Sequence, residues 1–172
     1  ENISYKVVTY PEMKEVADRV KETSLTVDLP SDQPLAAYKY AVFAYNGDMK
    51  GKGRVSNKVV VGRPMEAPYS QDFSTAQKFD ICEVVNVNAD ANTWIKEGKY
   101  AKYVYNFYNK ADDWLLTPPV KLKGGQDYTF SITARKGIAK YREKIMLGYG
   151  ESTDVTTFKS MSDSINITSI ED

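Results

Sequence analysis

A stretch of alternating polar residues, NVNADANTWIKE, contains the side chains best suited to binding a metal ion. Its oxygen-bearing side chains are Asn86, Asn88, Asp90, Asn92 and Glu97. This spacing imitates an EF-hand calcium loop, but the first ligand is not Asp, the sixth residue is Ala91 and not Gly, and no flanking helices are predicted. Two interpretations stay open: an irregular calcium-binding loop, or an Asx-rich turn whose side chains cap backbone groups.

Two neighbouring acids, Asp112 and Asp113, precede the apolar stretch WLLTPP and raise the question of carboxylate catalysis. Neighbouring side chains of a β-strand point to opposite faces, so these carboxylates cannot easily flank one glycosidic bond. We therefore favour a structural role for this stretch over a catalytic one.

The composition excludes most hydrolase chemistry. The 172 residues include no histidine, which rules out Ser-His-Asp and Cys-His sites, HExxH zinc helices and an imidazole base within the chain. The single cysteine, Cys82, cannot form an internal disulfide or a multi-cysteine zinc site, and its apolar surroundings favour a buried, inert thiol.

Charge and hydropathy restrict the possible partners. Lys+Arg and Asp+Glu both number 23, and basic residues form no long run, so no nucleic-acid-binding surface is predicted. No apolar stretch approaches the roughly 20 residues that cross a bilayer, so this segment is not expected to insert into a membrane. The first residues do not resemble a signal peptide, and any export signal is expected upstream or already removed.

The apolar residues alternate with a period of two, which predicts an all-β, antiparallel chain. The same pattern favours a strand over a helix for PEMKEVADRVKE. The predicted strands are ISYKVVTY, SLTVDL, AYKYAVFAY, NKVVVG, CEVVNVN, YAKYVYNFY, YTFSITA, EKIMLGY and INITSI.

A domain boundary is predicted near Arg63. Pro64 and Pro68 bracket a short segment that follows an apolar run, as is common where a chain leaves one compact unit and enters another. The predicted domains are residues 1–63 and 64–172.

The first of these segments resembles the end of a fibronectin type III domain. The resemblance rests on LAAYKYAVFAYNGDMKGKGRVSN, where Tyr38 matches the tyrosine that starts the sixth strand and forms the tyrosine corner. ISYKVVTYP then resembles strand C and SLTVDLP strand E. Nothing resembles strands A and B, so the resemblance implies a sandwich without its N-terminal strands, whose open faces something else covers.

The second segment resembles the cleaved-adhesin or choice-of-anchor domains of secreted Bacteroidetes proteins, which have a MAM-like jelly-roll fold. The matching pieces, in order, are PYSQDF, VNVNADANTW, DDWLLTPPVKL, GGQDYTFSITARKG and EKIMLGYGES. The resemblance implies a jelly-roll-like β-sandwich that is incomplete at its C-terminal end. It also implies structural calcium on an irregular loop, for which we predict Asn88, Asp90 and Asp113 as metal ligands.

The two resemblances together imply a non-catalytic extracellular adhesion or ligand-binding module of a larger bacterial surface or secreted protein. Its expected partner is a host or community protein or a glycan, and the ring-rich stretch YAKYVYNFYN is a candidate contact surface. One alternative is an accessory region of a secreted hydrolase or protease whose catalytic domain lies elsewhere. A third interpretation is that the chain is a glycoside hydrolase that uses only carboxylates.

Overall fold

A computed structural model describes residues 2–170, and short β-strands dominate it. The strands are β1 (Ile3–Thr9), β2 (Glu15–Val20), β3 (Ala36–Tyr38), β4 (Tyr40–Asn46), β5 (Met49–Lys50), β6 (Arg54–Val55), β7 (Val59–Val61), β8 (Met65–Glu66), β9 (Glu83–Asn86), β10 (Trp94–Glu97), β11 (Tyr100–Tyr103), β12 (Asp113–Leu116), β13 (Val120–Lys121), β14 (Glu143–Ile145), β15 (Gly148–Tyr149), β16 (Lys159–Ser160) and β17 (Ile165–Ile167). The helical parts are α1 (Ala76–Asp80) and a 3-10 turn at Val155–Thr157. The all-β prediction is thus confirmed at the level of secondary structure.

The largest sheet lies at the beginning of the chain, with strand order β2-β1-β4-β5 and with β6 also paired to β4. All seven residues of β1 pair with β4 in antiparallel register, and the pair Val8 and Ala41, next to the end of the ladder, is buried. The stretch PEMKEVADRVKE contributes β2, so the preference for a strand there is confirmed. Two register shifts interrupt the pairing of β2 with β1.

Two predicted strands are absent, and one predicted contact is not made. Residues 24–30 and 128–134 are not assigned to any strand. The second stretch keeps its alternation, but no neighbouring strand pairs with its backbone, and Phe130 and Ile132 are exposed.

Tyr38 pairs with Val59 across β3 and β7. Within residues 2–170 its hydroxyl has no hydrogen-bond partner, so the expected tyrosine corner does not form.

The backbone of the chain changes pairing partners between Arg63 and Met65. The Arg63 amide donates to the Gln33 carbonyl at 2.9 Å, whereas the Met65 amide donates to the Pro119 carbonyl at 2.9 Å. Met65 then starts β8, which runs parallel to β13. Arg63 is therefore the last residue that pairs with the preceding part of the chain before pairing passes to residues 119–121.

A pair of lysines connects the beginning of the chain to the C-terminal end of α1. The Lys39 ammonium lies 2.6 Å from the Asp80 carboxylate, and Lys58 donates to the Asp80 carbonyl at 3.1 Å. Lys58 also contacts the Glu83 carboxylate at 3.3 Å. Cations are favourable at this end of a helix because the last carbonyls carry partial negative charge.

The fold leaves much apolar surface open. The accessible surface is 13009 Å², whereas a compact monomer of this mass is expected to expose about 8,500 Å². The buried apolar residues of the described chain are Val8, Ala41, Cys82 and Pro118, and strand residues such as Val59 remain half exposed. No helix among residues 2–170 has the length and apolar character needed to cross a bilayer.

Candidate functional site

Asp90 lies at the centre of the loop that joins β9 to β10, here called the Asn loop (residues 87–93). Its carboxylate accepts the Asn92 backbone amide at 2.7 Å, the Asn106 side-chain amide at 2.8 Å and the Asn109 side-chain amide at 3.0 Å. The bond from Asn92 closes an Asx turn. The other two bonds come from residues after β11, so Asp90 ties two loops together.

The asparagines of the Asn loop strengthen this connection. Asn88 accepts the Asp90 backbone amide at 3.0 Å, and its own amide donates to the Lys110 carbonyl at 3.0 Å. Asn92 donates to the Tyr105 carbonyl at 2.6 Å. The structure therefore contains the Asx turns that one sequence interpretation predicts, and the calcium interpretation stays a prediction.

Glu97, the twelfth residue of the EF-hand-like pattern, does not join the loop. Its carboxylate forms an ion pair with Lys102 at 2.8 Å across the β10-β11 hairpin. A strand at Trp94–Glu97 carries Glu97 away from Asp90, because the chain extends here where an EF-hand would begin a helix.

Asp113 begins β12, directly opposite Asn86 of β9. One carboxylate oxygen, Oδ2, accepts the Tyr103 hydroxyl at 3.1 Å, and the Asp113 carbonyl accepts the Trp94 indole N–H at 3.2 Å. Asp113 is half-buried, whereas Asp112 is exposed. The two acids thus occupy different environments.

Three buried oxygen atoms near Asp113 have no hydrogen-bond partner within the described residues. They are Asn86 Oδ1, Thr93 Oγ1 and Asp113 Oδ1. Cross-strand partners such as Asn86 and Asp113 point to the same face of the sheet. Thr93 precedes Trp94, whose indole contacts Asp113. Buried polar atoms are normally paired, so these oxygens suit a cation or an ordered water.

The environment of the site shifts the pKa values of Tyr103 and Asp90. Burial, the hydrogen bond to Asp113 and the charges of Asp113 and Asp90 raise the pKa of Tyr103 to about 12, so its hydroxyl remains a donor at neutral pH. The Asn92 backbone amide, followed by the Asn109 side chain, lowers the pKa of Asp90.

The lowered pKa of Asp90 predicts a pH effect on stability. An acid whose folded-state pKa is depressed stabilises the fold above its ordinary pKa, about 3.8, and that stabilisation is lost as pH falls through the folded value. We expect Asp90→Asn to reduce the fall in Tm between pH 5 and pH 3, measured by circular dichroism. Asp112→Asn, which changes an exposed acid, is the matched control and should leave the fall unchanged. Equal falls for the wild type and Asp90→Asn would contradict the assignment.

A group of exposed rings lies beside the Asn loop; it is called the ring surface and consists of Tyr105, Phe107, Tyr108 and Tyr141. Phe107 is 77% and Tyr108 is 96% exposed. Tyr105 lies 4.8 Å from Phe107 and 6.3 Å from Tyr141, centroid to centroid. Tyr103, which belongs to the same ring-rich stretch YAKYVYNFYN, lies in β11, and its ring centre is 5.6 Å from that of Trp94. The strand ends at Tyr103, so the alternation does not continue.

The sequence pattern predicted Asp90 and Asp113 as ligands, but it did not indicate that Asn86 lies opposite Asp113, and it did not single out Thr93. The register of β9 against β12 brings Asn86 to Asp113, and no local pattern encodes that register. Among residues 2–170 there is no cluster of three or more His, Cys, Asp or Glu side chains that could hold a metal. A cation here would therefore need amide, hydroxyl and carbonyl oxygens as well.

No family model, curated protein or solved structure matches the chain.

Proposed function

We propose that this chain is a non-catalytic adhesion or ligand-binding module of a larger extracellular bacterial protein, secreted or held at the cell surface. The observation that carries the proposal is the ring surface. Tyr105, Phe107 and Tyr108 lie on a segment that the hydrogen bonds of Asp90 with Asn106 and Asn109 hold in place. Exposed aromatic side chains on an ordered loop are suited to binding a glycan or a protein, because they bury a large area and lose little conformational freedom.

The strand pairing supports the fold that goes with this function. Residues 1–63 are proposed as a fibronectin type III-like unit, in which β1 corresponds to strand C and β4 to strand F. These two strands are neighbours in one sheet, as C and F are in such sandwiches. Residues 64–172 are proposed as a jelly-roll-like sandwich, and their antiparallel pairs β9-β12 and β10-β11 support it.

We further propose a structural calcium ion at the Asn loop. Asp113 supplies a buried carboxylate oxygen without a partner, and Asn86 and Thr93 supply two more unpartnered oxygens. Asn88 and Asp90, the other predicted ligands, already accept hydrogen bonds, but amide and carboxylate oxygens have more than one lone pair and can also bind a cation. Backbone carbonyls and water would complete the six to eight oxygens that calcium takes.

Binding to glycan and protein arrays tests the function. We expect the wild type to bind one class of ligand, and the double variant Phe107→Ala/Tyr108→Ala to bind it about tenfold or more weakly, since removing interface aromatics commonly costs 1–2 kcal/mol or more. Tyr149→Ala removes a half-exposed ring of β15 and is the matched control. Circular dichroism checks that the variants fold.

Two results would count against the module. If the double variant bound as tightly as the wild type, the ring surface would not be the contact. Turnover of a glycoside that disappears in Asp113→Asn would show an enzyme instead.

A further inference from the structure

The charges of the chain are unevenly distributed, although they sum to zero. Two segments, residues 98–110 and 135–144, contain eight Lys or Arg residues and one acid, Glu143. The rest of the chain contains 15 basic and 22 acidic residues. A concentration of positive charge on an otherwise acidic molecule attracts anions to one place.

The fold brings these two segments together at the ring surface. The Arg135 guanidinium lies 5.4 Å from the Tyr100 ring centre, and Tyr141 stacks near Tyr105 at 6.3 Å with 28° between the ring planes. The Lys140 ammonium lies 5.1 Å from the Tyr141 ring centre. Cations and rings of the two segments are therefore in contact, although the segments are about 30 residues apart in sequence.

A groove adjoins this surface beside Tyr141. It has a volume of about 340 Å³. Its lining residues are Lys136, Arg142, Glu143, Asn166, Ile167 and Thr168. Lys136 donates to the carbonyls of Ala139 and Tyr141 at 2.8 and 3.3 Å, which fixes the turn that carries Lys140. The groove combines the Arg142 guanidinium with amide and hydroxyl groups, a donor set that suits a carboxylate, and its one acid, Glu143, can accept a hydrogen bond from a neighbouring sugar hydroxyl.

We infer that the ligand is an acidic glycan, a sugar chain that carries uronic acid carboxylates. This inference rests on the proposed binding function and names the class of its ligand. The C–H faces of pyranose rings pack on Tyr105, Phe107 and Tyr141, and the carboxylates pair with Lys140 and Arg142.

Neutral sugars and nucleic acids fit the surface less well. A neutral sugar gives the cations no partner. A nucleic acid normally needs a domain with an overall excess of positive charge, whereas this chain has 23 basic and 23 acidic residues.

Calorimetric titration with tetragalacturonate and with its fully methyl-esterified form tests the inference. The two probes share sugar rings and differ in charge. We expect the acid to bind at least about tenfold more tightly than the ester, and to lose about fivefold or more in affinity between 50 and 300 mM NaCl, because salt screens charge pairs. Lys140→Ala/Arg142→Ala should lose the preference for the acid and keep the affinity for the ester.

The control variant is Lys21→Ala/Lys52→Ala, which removes two exposed charges near the beginning of the chain and should bind both probes as the wild type does. Equal affinity for acid and ester would overturn the inference and leave glycan binding in place. Tighter binding of a dodecathymidylate than of the acid would overturn it in favour of a nucleic acid. If neither sugar bound, the inference would be wrong, and only blank glycan and protein arrays would also remove the proposed function.

Discussion

Replacing Gly62 with alanine is expected to lower the free energy of unfolding by about 3 kcal/mol or more. Gly62 has φ +139°, a conformation that side-chain-bearing residues rarely adopt. A Cβ atom there would lie 2.5 Å from Leu35 Cα and 2.8 Å from the Pro34 carbonyl oxygen. Both are backbone atoms, so the strain cannot be relieved by turning a side chain. The damage would fall where the chain changes pairing partners.

Two other glycines separate the parts of this effect. Gly47 has φ +59° and open space at its Cβ position, so Gly47→Ala tests backbone conformation alone and should cost about 1 kcal/mol. Gly124→Ala meets no atom within 4 Å and should be nearly neutral. Urea unfolding of the three variants measures the differences. A loss for Gly62→Ala no larger than that for Gly47→Ala would mean that Leu35 does not pack against this position.

Calcium is expected to raise the melting temperature. Extracellular modules bind calcium with dissociation constants of roughly 10⁻⁴ to 10⁻³ M. At 10 mM calcium, binding to the folded state alone would then add about 1.4 to 2.7 kcal/mol, or roughly 3 to 10 °C in Tm. Asp113→Ala removes the buried carboxylate oxygen that has no partner, and should abolish the rise. Asp90→Ala should abolish it as well, because it removes the second carboxylate.

The comparison variant for calcium is Asp112→Ala, which removes an exposed acid next to Asp113 and should keep the full rise. Differential scanning calorimetry from excess chelator to 10 mM calcium gives the measurement. A constant melting temperature over that range would leave the Asx turns as the whole explanation of the Asn loop. The three unpartnered oxygens would then be interpreted as a water site.

Local alternation predicted several of the strands that pair. β1, β4 and β9 were predicted from period two, and each pairs with another strand. Residues 128–134 have the same alternation but belong to no strand. Alternation indicates which side chains share a face; whether a strand forms also depends on a partner distant in sequence.

The candidate site shows the same division between local and distant information. The Asx turns of Asp90 connect residues two apart, and the spacing of the asparagines was enough to suggest them. The meeting of Asn86 with Asp113 depends on strand register, and the meeting of Arg135 with Tyr100 depends on how two remote segments fold. The equal totals of 23 basic and 23 acidic residues gave no indication that the fold brings basic residues of two segments together.

The large open surface has a consequence for the heat capacity of unfolding. An extended chain of 19.4 kDa exposes about 28,000 Å², and the folded chain exposes 13009 Å². Folding therefore buries only about three quarters of the area that a compact chain of this size would bury. The heat-capacity increment scales with that area and should be about three quarters of the roughly 2 to 2.6 kcal/mol/K usual for this length. The stability curve is then flatter, and cooling or warming the chain changes its stability less than for a closed sandwich.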